Sequence, residues 1–232
     1  MKLVFFNAWL SRRYKILIAT CILLGIVIFS IAYVGMVQFS WLGQLNDLIL
    51  YWLSTHRDPI LTSVMLIVTS LASPTFFILA ISLISMLWMY IKHEVWRPFL
   101  MLVGVSATAV TSIILKSLTQ SPRPLRVDMV PPFELDYSFP SNHTACTFIF
   151  LLMLGYLFYS RYRASDKHFW LAVWIAATFF GTSVIAISRL YLGYHWFTDI
   201  LGAIGLGLIA FGVLVLVDKH VTNRWPDKEN ND

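Results

Sequence analysis

Apolar residues in this chain come in long unbroken runs, not in the alternating or three-and-four spacing of a half-buried element. Ile16–Val37 is the first, long enough to cross the ~30 Å hydrocarbon core of a bilayer at ~1.5 Å per residue. Five more runs of this kind follow: Thr75–Ile91, Pro98–Leu115, Ser141–Tyr159, His168–Ile187 and Trp196–Val217. Together they predict six transmembrane helices. A secretory leader would have a shorter apolar core ending in small residues. The first run instead continues into Met36-Val37-Gln38-Phe39 and reads as a retained anchor. Between the first and second runs, Phe39–Pro59 interleaves Trp41, Leu45, Leu48, Ile49 and Trp52 with Gln44, Asn46, Asp47 and Arg57, which suits an amphipathic helix at the interface. Ile60–Ala72 is apolar but short, and Ser73-Pro74 breaks the pattern after it. It predicts a helix packed within the bundle or dipping partway into the membrane. Lys116–Pro140 is the long polar loop, and it holds five prolines.

Composition agrees with this pattern. The 232 residues are 58% hydrophobic and 12% charged, with a mean hydropathy of +0.73, whereas a soluble domain carries ~25% charged residues. The expectation is an all-α, single-domain membrane protein over 1–232, a bundle of six spans. The net charge of +5 then reports topology, not nucleic-acid binding. With the N-terminus inside and six crossings, Lys2, Arg12, Arg13, Lys15, Lys92, Arg97, Arg161, Arg163, Lys167, Lys219, Arg224 and Lys228 fall inside, 12 of the 17 basic residues. Only Arg57, Lys116, Arg123, Arg126 and Arg189 fall outside. Counting Ile60–Ala72 as a seventh crossing would put the basic N-terminus on the far side from the later basic loops. Cys21 and Cys146 lie in apolar runs and read as small core residues, not a disulfide. With no CxxC or HExxH motif, no metal or other cofactor is expected.

The outside basic residues carry the chemistry. Lys116, Arg123 and Arg189 sit at the mouths of spans, and His143 and His195 fall on the same side. Five cationic or protonatable groups thus meet near headgroup depth, an anion site by composition. Ionisable groups at a membrane boundary are costly and point to function. If the chain is helical from His195 onward, Asp199 is its i,i+4 neighbour, suited to holding the imidazole in one tautomer. His56, His93, His168 and His220 have no such company and receive no role.

Three motifs now stand in order: Lys116-x6-Arg123-Pro124, Pro140-Ser141-Asn142-His143, and Ser188-Arg189-x5-His195-x3-Asp199. In type and spacing they resemble the signature of the type 2 phosphatidic acid phosphatase family, integral-membrane lipid phosphatases that share an active site with vanadium haloperoxidases. The resemblance covers roughly residues 45–217. It implies a phosphatase with His195 as nucleophile through a phosphohistidine, Asp199 orienting it, and His143 as general acid to the leaving group. The physical reading of the other groups fits: Arg123 and Arg189 can each bind two phosphate oxygens, Lys116 serves as a point charge, and Ser141 adds a hydroxyl. The backbone N–H groups of Ser141 and Asn142 open a helix, where anions are favoured.

One position departs from the family pattern. Asn142 stands where glycine is usual; asparagine tolerates a left-handed backbone better than most residues and brings an amide donor. The implied substrate is a lipid with a terminal phosphate or diphosphate, such as undecaprenyl diphosphate, phosphatidylglycerol phosphate or phosphatidic acid. The implied setting is a bacterial inner membrane, with the site on the periplasmic face. Phosphotransfer to a second lipid at the same site, and lipid-phosphate binding or transport without turnover, are the alternatives. Tyr191, Tyr194 and Trp196 read as an interfacial aromatic belt, Gly202, Gly205 and Gly207 as close helix packing, and Asp128, Glu134 and Asp136 as a solvated loop shaping access.

Overall fold

The computed structural model describes residues 12–37, 41–161 and 167–224. Among them, eight α-helices follow one another: α1 (Arg12–Val37), α2 (Trp41–Thr55), α3 (Pro59–Leu71), α4 (Pro74–Lys92), α5 (Trp96–Thr119), α6 (Asn142–Arg161), α7 (Lys167–Tyr191) and α8 (Phe197–Arg224). A single 3-10 turn, Arg126–Asp128, lies in the long loop between α5 and α6. Six of the helices, α1 and α4 to α8, are long and apolar enough to cross a membrane, in agreement with the six expected spans. The loop expected around Arg163 lies outside the described residues, as does Lys2; of the polar tail expected over Asp218–Asp232, Asp218–Arg224 instead continue α8 and the rest lies outside the described residues.

Local chemistry explains where the short helices begin. Asp58 accepts hydrogen bonds from the Ile60 and Leu61 amides at 2.9 Å each, with Pro59 in the first helical position. A carboxylate cap followed by proline satisfies orphan donors and pre-sets φ. Ser73 and Pro74 repeat the device for α4. The Ser-Pro pair thus ends one helix by starting the next. At 13 residues α3 is too short to span. α2 buries Leu42 and Asn46 and exposes Trp41, Tyr51 and Trp52, the amphipathic pattern the sequence predicts.

Helix ends differ from the expected ones on both sides of the bundle: on the far side α1 begins at Arg12 and α8 runs on to Arg224, taking in Asp218, and three ends bear on the motif residues. α5 continues past the apolar run to Thr119, so Lys116 lies in its last turn and not in the loop. α7 continues to Tyr191 and takes Arg189 into its last turn. Hydropathy stops counting where charge appears, but a cation in the last turn is favoured by the helix dipole and does not end a helix. By contrast, α8 begins only at Phe197, after His195.

α1 packs along α8. A Cβ on Gly25 would stand 2.7 Å from the Gly205 carbonyl, and one on Gly205 would stand 2.7 Å from the Phe29 amide. Small residues let two backbones approach this closely where lipid offers no hydrophobic drive for association. Gly202 and Gly207 lie likewise against Phe139 and Phe148. The buried core lies among α5, α6 and α8, around Met101, Val105, Ile149, Met153, Phe211 and Val215. Outward residues such as Leu79, Leu83, Phe179 and Phe180 are exposed, as expected of a surface whose solvent is lipid. Cys21 and Cys146 are both free and buried. At the end remote from Arg189, Asp218 accepts hydrogen bonds from Trp96 Nε1 (2.9 Å) and the Tyr156 hydroxyl (2.6 Å), tying α5, α6 and α8 together.

Gly205→Ala should therefore separate α1 from α8 and lower the melting temperature of the detergent-solubilised protein, at a cost of about 1–3 kcal/mol. Gly104→Ala is the control. Its added methyl would meet only the end of the Leu214 side chain, which can rotate away. Equal losses in the two variants would refute the backbone-contact account.

Candidate active site

The corner between α7 and α8 sets the geometry. Tyr194 N donates to the Arg189 carbonyl and Gly193 N to the Leu190 carbonyl, both at 3.0 Å. This is the paired bonding of a Schellman helix end, with Gly193 in the left-handed position at φ +73. A Cβ there would stand 2.2 Å from the Asp128 carbonyl oxygen. The chain then turns directly into α8 through one half of a capping box, the acid at the third helical position reaching back. Asp199, three residues beyond Trp196, accepts the Trp196 amide at 2.8 Å. Tyr191 and Tyr194 are buried in this corner and do not form an exposed belt. The Tyr191 hydroxyl accepts the Asp58 amide at 2.8 Å, and the Tyr194 ring lies 4.6 Å from the Arg189 guanidinium. Trp196 donates through Nε1 to the Pro122 carbonyl at 2.8 Å.

His195 and Asp199 do meet, although not as neighbours on a helix. His195 Nδ1 stands 3.1 Å from Asp199 Oδ2 because the capping carboxylate reaches back over the helix start. Ser138, from the long loop, donates to the same Oδ2 and lies 3.3 Å from Nδ1. On the other side of the ring, Arg123 Nη1 stands 3.3 Å from Nε2 and donates to the Tyr194 carbonyl at 2.5 Å. These partners assign the tautomer: Nδ1 carries the proton toward Asp199, and the Nε2 lone pair faces Arg123. Burial, together with the charges of Arg123, Arg189 and Lys116, holds the His195 pKa well below its ordinary value, so the ring is neutral.

Lys116, Arg123 and Arg189 converge here from α5, the loop and α7, as their types and spacing predict. Their immediate partners are not predicted. Glu134 bridges Arg123 (2.7 Å) and Arg189, and Asp136 bridges Lys116 (2.7 Å) and Arg123 (2.6 Å). The reading of Glu134 and Asp136 as simply solvated is therefore corrected: both are ion-paired. Asp128 instead contributes its carbonyl, which accepts from Arg57 at 2.6 Å. For Asp136, burial raises the pKa, but the bonds and charges of Lys116 and Arg123 outweigh it and hold the carboxyl below the usual range. Arg189 also donates to Thr69 of α3 at 2.9 Å.

Ser141, Asn142 and His143 stand at the start of α6. Ser141 is fully buried, its amide 3.2 Å from the Asp199 carbonyl and its hydroxyl 3.1 Å from that of Thr144. Asn142 is helical, and among the described residues the non-glycine positions with positive φ are His93 and Gln120. The backbone therefore makes no demand for glycine at Asn142, whose Oδ1 accepts from Cys146 Sγ at 3.2 Å. His143 is partly buried, and the charges of Arg189, Lys116 and Arg123 act on it.

Residues 96–222 match the family model described as the PAP2 superfamily. The chain belongs to the PAP2 superfamily. It is 28% identical over 165 residues to phosphatidylglycerophosphatase B of Bacillus subtilis, across 71% of this chain and 79% of that protein. Its fold matches the crystal structure of the transmembrane PAP2 type phosphatidylglycerolphosphate phosphatase from Bacillus subtilis, with a TM-score of 0.77 at 23% identity over 87% of this chain and 98% of the other. Aquifex aeolicus LpxE matches with a TM-score of 0.54 at 22% identity over 75% of this chain and 95% of the other.

This PAP2 chain is thus a multi-pass membrane phosphatase, and its PAP2 region contains every residue of the three motifs. Support reaches the site from outside that region as well. Asn46 of α2 donates through Nδ2 to Thr198 Oγ1 (3.1 Å) and accepts the Thr198 amide through Oδ1 (3.0 Å). Asn46, Thr69, Glu134, Asp136 and Ser138 were not singled out by sequence reasoning as site residues. Only Asn46 carried a signal, a polar residue on the face of α2 that became its buried one.

A neutral, buried His195 has a stability signature. Its folded-state pKa lies below the unfolded value of ~6.5, so the unfolded chain takes up the proton first as pH falls. Stability from this site is complete above that value and declines below it. Wild-type Tm should fall more steeply than that of His195→Gln between about pH 7.5 and 5.5. Parallel Tm profiles would contradict the assignment of a neutral ring.

Proposed function

We propose that this PAP2 phosphatase removes the terminal phosphate of a lipid phosphate or diphosphate through a covalent phosphohistidine on His195. The observation that carries the reading is that the unprotonated Nε2 of His195 stands 3.3 Å from Arg123 Nη1, and Arg123 is joined through Glu134 to Arg189 and through Asp136 to Lys116. A phosphoryl group presents dense charge on its outer oxygens, and transfer needs that charge held as it spreads. The two guanidinium groups bind pairs of oxygens, Lys116 adds a point charge, and the first-turn amides of α6 from Asn142 onward favour an anion, the Ser141 amide being held by the Asp199 carbonyl.

In the first step the Nε2 lone pair forms a bond to phosphorus as the bond to the leaving oxygen breaks. His143, protonated once the substrate's phosphate neutralises the surrounding cations, gives its proton to that oxygen. Asp199 takes up the positive charge that develops on the ring through its bond to Nδ1–H, and Ser138 fixes the carboxylate. In the second step His143 accepts a proton from water as the water oxygen attacks phosphorus. The N–P bond breaks, inorganic phosphate leaves, and neutral His195 and protonated His143 are restored.

The lipid class follows from depth. Lys116, His143, Arg189 and Asp199 lie at one end of four spans, within reach of headgroups, and the surrounding helix surfaces are apolar. The similarity to the Bacillus subtilis phosphatidylglycerophosphatase favours phosphatidylglycerol phosphate; phosphatidic acid presents the same monophosphate, and undecaprenyl diphosphate also ends in a phosphoryl group. The positive-inside count supports an outward-facing site, and the Bacillus subtilis relative supports a bacterial inner membrane.

Purified protein with a chelator present should release phosphate from a panel of these lipids. His195→Ala should lose activity by roughly a thousandfold or more, and His143→Ala by about 10²–10⁴-fold. Equal release by wild type and His195→Ala would sink the mechanism. Phosphate transfer only when a second lipid is added would replace hydrolysis with phosphotransfer. Binding of lipid phosphate without turnover under either condition would mark a binding protein.

A further inference from the structure

The three cations already hold anions, and those anions belong to the protein. Between anchors at Val130, whose amide donates to the Leu192 carbonyl at 2.9 Å, and Ser138, whose amide donates to the Ser121 carbonyl at 2.9 Å, the chain bridges the site without regular structure. Its side chains alternate. Glu134 and Asp136 turn to the cations, while Phe133, Leu135 and Tyr137 are exposed. The carboxylates are on the solvent side of each pair: Asp136 is 58% exposed against 7% for Lys116, and Glu134 25% against 1% for Arg189. The segment also gives the cations two carbonyls, Tyr137 to Lys116 Nζ (2.5 Å) and Asp136 to Arg123 Nε (2.8 Å). Two carboxylates with four oxygens, spread over one lysine and two arginines, reproduce what a phosphate would offer.

We infer that Glu134 and Asp136 form a built-in phosphate mimic that the substrate's own phosphate must displace, and that they thereby set which lipid phosphates the site accepts. The inference rests on the reading of this site as the phosphate-binding centre. Three cations against two carboxylates leave one net positive charge at the site. A phosphate monoester carries a charge of about −1.5 to −2 near pH 7, so with both carboxylates in place the cluster would be over-neutralised. With the carboxylates displaced, the same ligand meets all three cations. A closed flap lowers apparent affinity by the fraction of time the site is open. A terminal diphosphate has more charge and more outer oxygens than the two carboxylates and competes better than a monophosphate. The pair is then a filter: it weakens binding of inorganic phosphate, the reaction's own product, and of singly phosphorylated lipids more than that of diphosphates.

Asp136→Asn is the deciding variant, because Glu134 still bridges both arginines and keeps them paired. Glu134→Gln/Asp136→Asn extends the test. Calorimetry with inorganic phosphate and with pyrophosphate should show phosphate binding tightened severalfold by the single change and roughly tenfold or more by the double. The gain for pyrophosphate should be smaller. With lipid substrates, the KM for a monophosphate should fall toward that for a diphosphate, and kcat should not rise in step. Weaker or unchanged phosphate binding in Asp136→Asn would overturn the inference and leave the pair as fixed supports for the cations. Binding is read without turnover. Tightened phosphate binding in a protein that hydrolyses none of the lipids would sink the hydrolase reading and leave the mimic standing, and hydrolysis with unchanged phosphate binding would do the reverse.

Discussion

Three cations buried at one end of a membrane bundle are the constraint on which the site depends. Lys116, Arg123 and Arg189 have 7%, 5% and 1% of their side-chain surface exposed. Like charges this close repel by a few kcal/mol per pair at an effective dielectric near 20, and an uncompensated buried charge costs about 3–5 kcal/mol. The fold therefore has to supply anions, and it does so from a loop, not from a helix. Glu134 and Asp136 answer the cations from the solvent side, where they can be exchanged for another anion. Asp199 is buried beneath them with its Oδ2 committed to His195, Ser138 and the Trp196 amide. One set of carboxylates is exchangeable and the other is fixed, which is the division that a site for a charged, transient ligand needs.

The spacing of the third motif has a backbone explanation. Five residues separate Arg189 from His195 because a Schellman turn must close α7 and leave one residue before the cap of α8. Three residues separate His195 from Asp199 because an acid at the third helical position caps the residue after the histidine. The leucine, tyrosine and glycine between are not filler. Gly193 is left-handed and has no room for a Cβ against the Asp128 carbonyl, and the Tyr194 ring lies 4.6 Å from the Arg189 guanidinium. Two ordinary helix-capping devices, set back to back, hold a guanidinium, an imidazole and a carboxylate in fixed relation without a regular element running through them.

What the sequence made legible follows from the same physics. Long apolar runs name spans without ambiguity, because in lipid only a helix satisfies its own backbone. Lys116, Arg123, Arg189, His143, His195 and Asp199 stood out because ionisable groups are scarce among such runs and their spacing carries a signature. Glu134, Asp136 and Ser138 did not, since they lie in a polar, proline-rich loop where acids and serines are the background. Nothing in loop spacing says which side chain turns inward. Helix ends were misjudged where a charge follows an apolar run: hydropathy placed Lys116 and Arg189 outside helices that in fact carry them in their last turns. The belt reading of Tyr191 and Tyr194 failed for a related reason. An aromatic beside a span is a belt residue only if no polar partner lies beneath it, and here Asp58 and Arg189 do.

The first part of the chain is more than an anchor, and this bears on how the PAP2 core is held. The amides of a first helical turn have no partners within the helix. At the start of α8 these donors sit beside buried Asp199, and the Thr198 amide is met by Asn46 of α2. Thr69 of α3 does the corresponding service for one nitrogen of Arg189. Both helices lie before residue 96, where the PAP2 match begins. α2 also leaves an apolar face of Trp41, Tyr51 and Trp52 exposed, so the element that fixes Thr198 is the one suited to lie against the membrane surface. Substrate and scaffold would then share one reference plane: the helix suited to lie at headgroup depth is bonded to the helix that carries Asp199, and in the proposed mechanism this keeps His195 level with the phosphate it would attack.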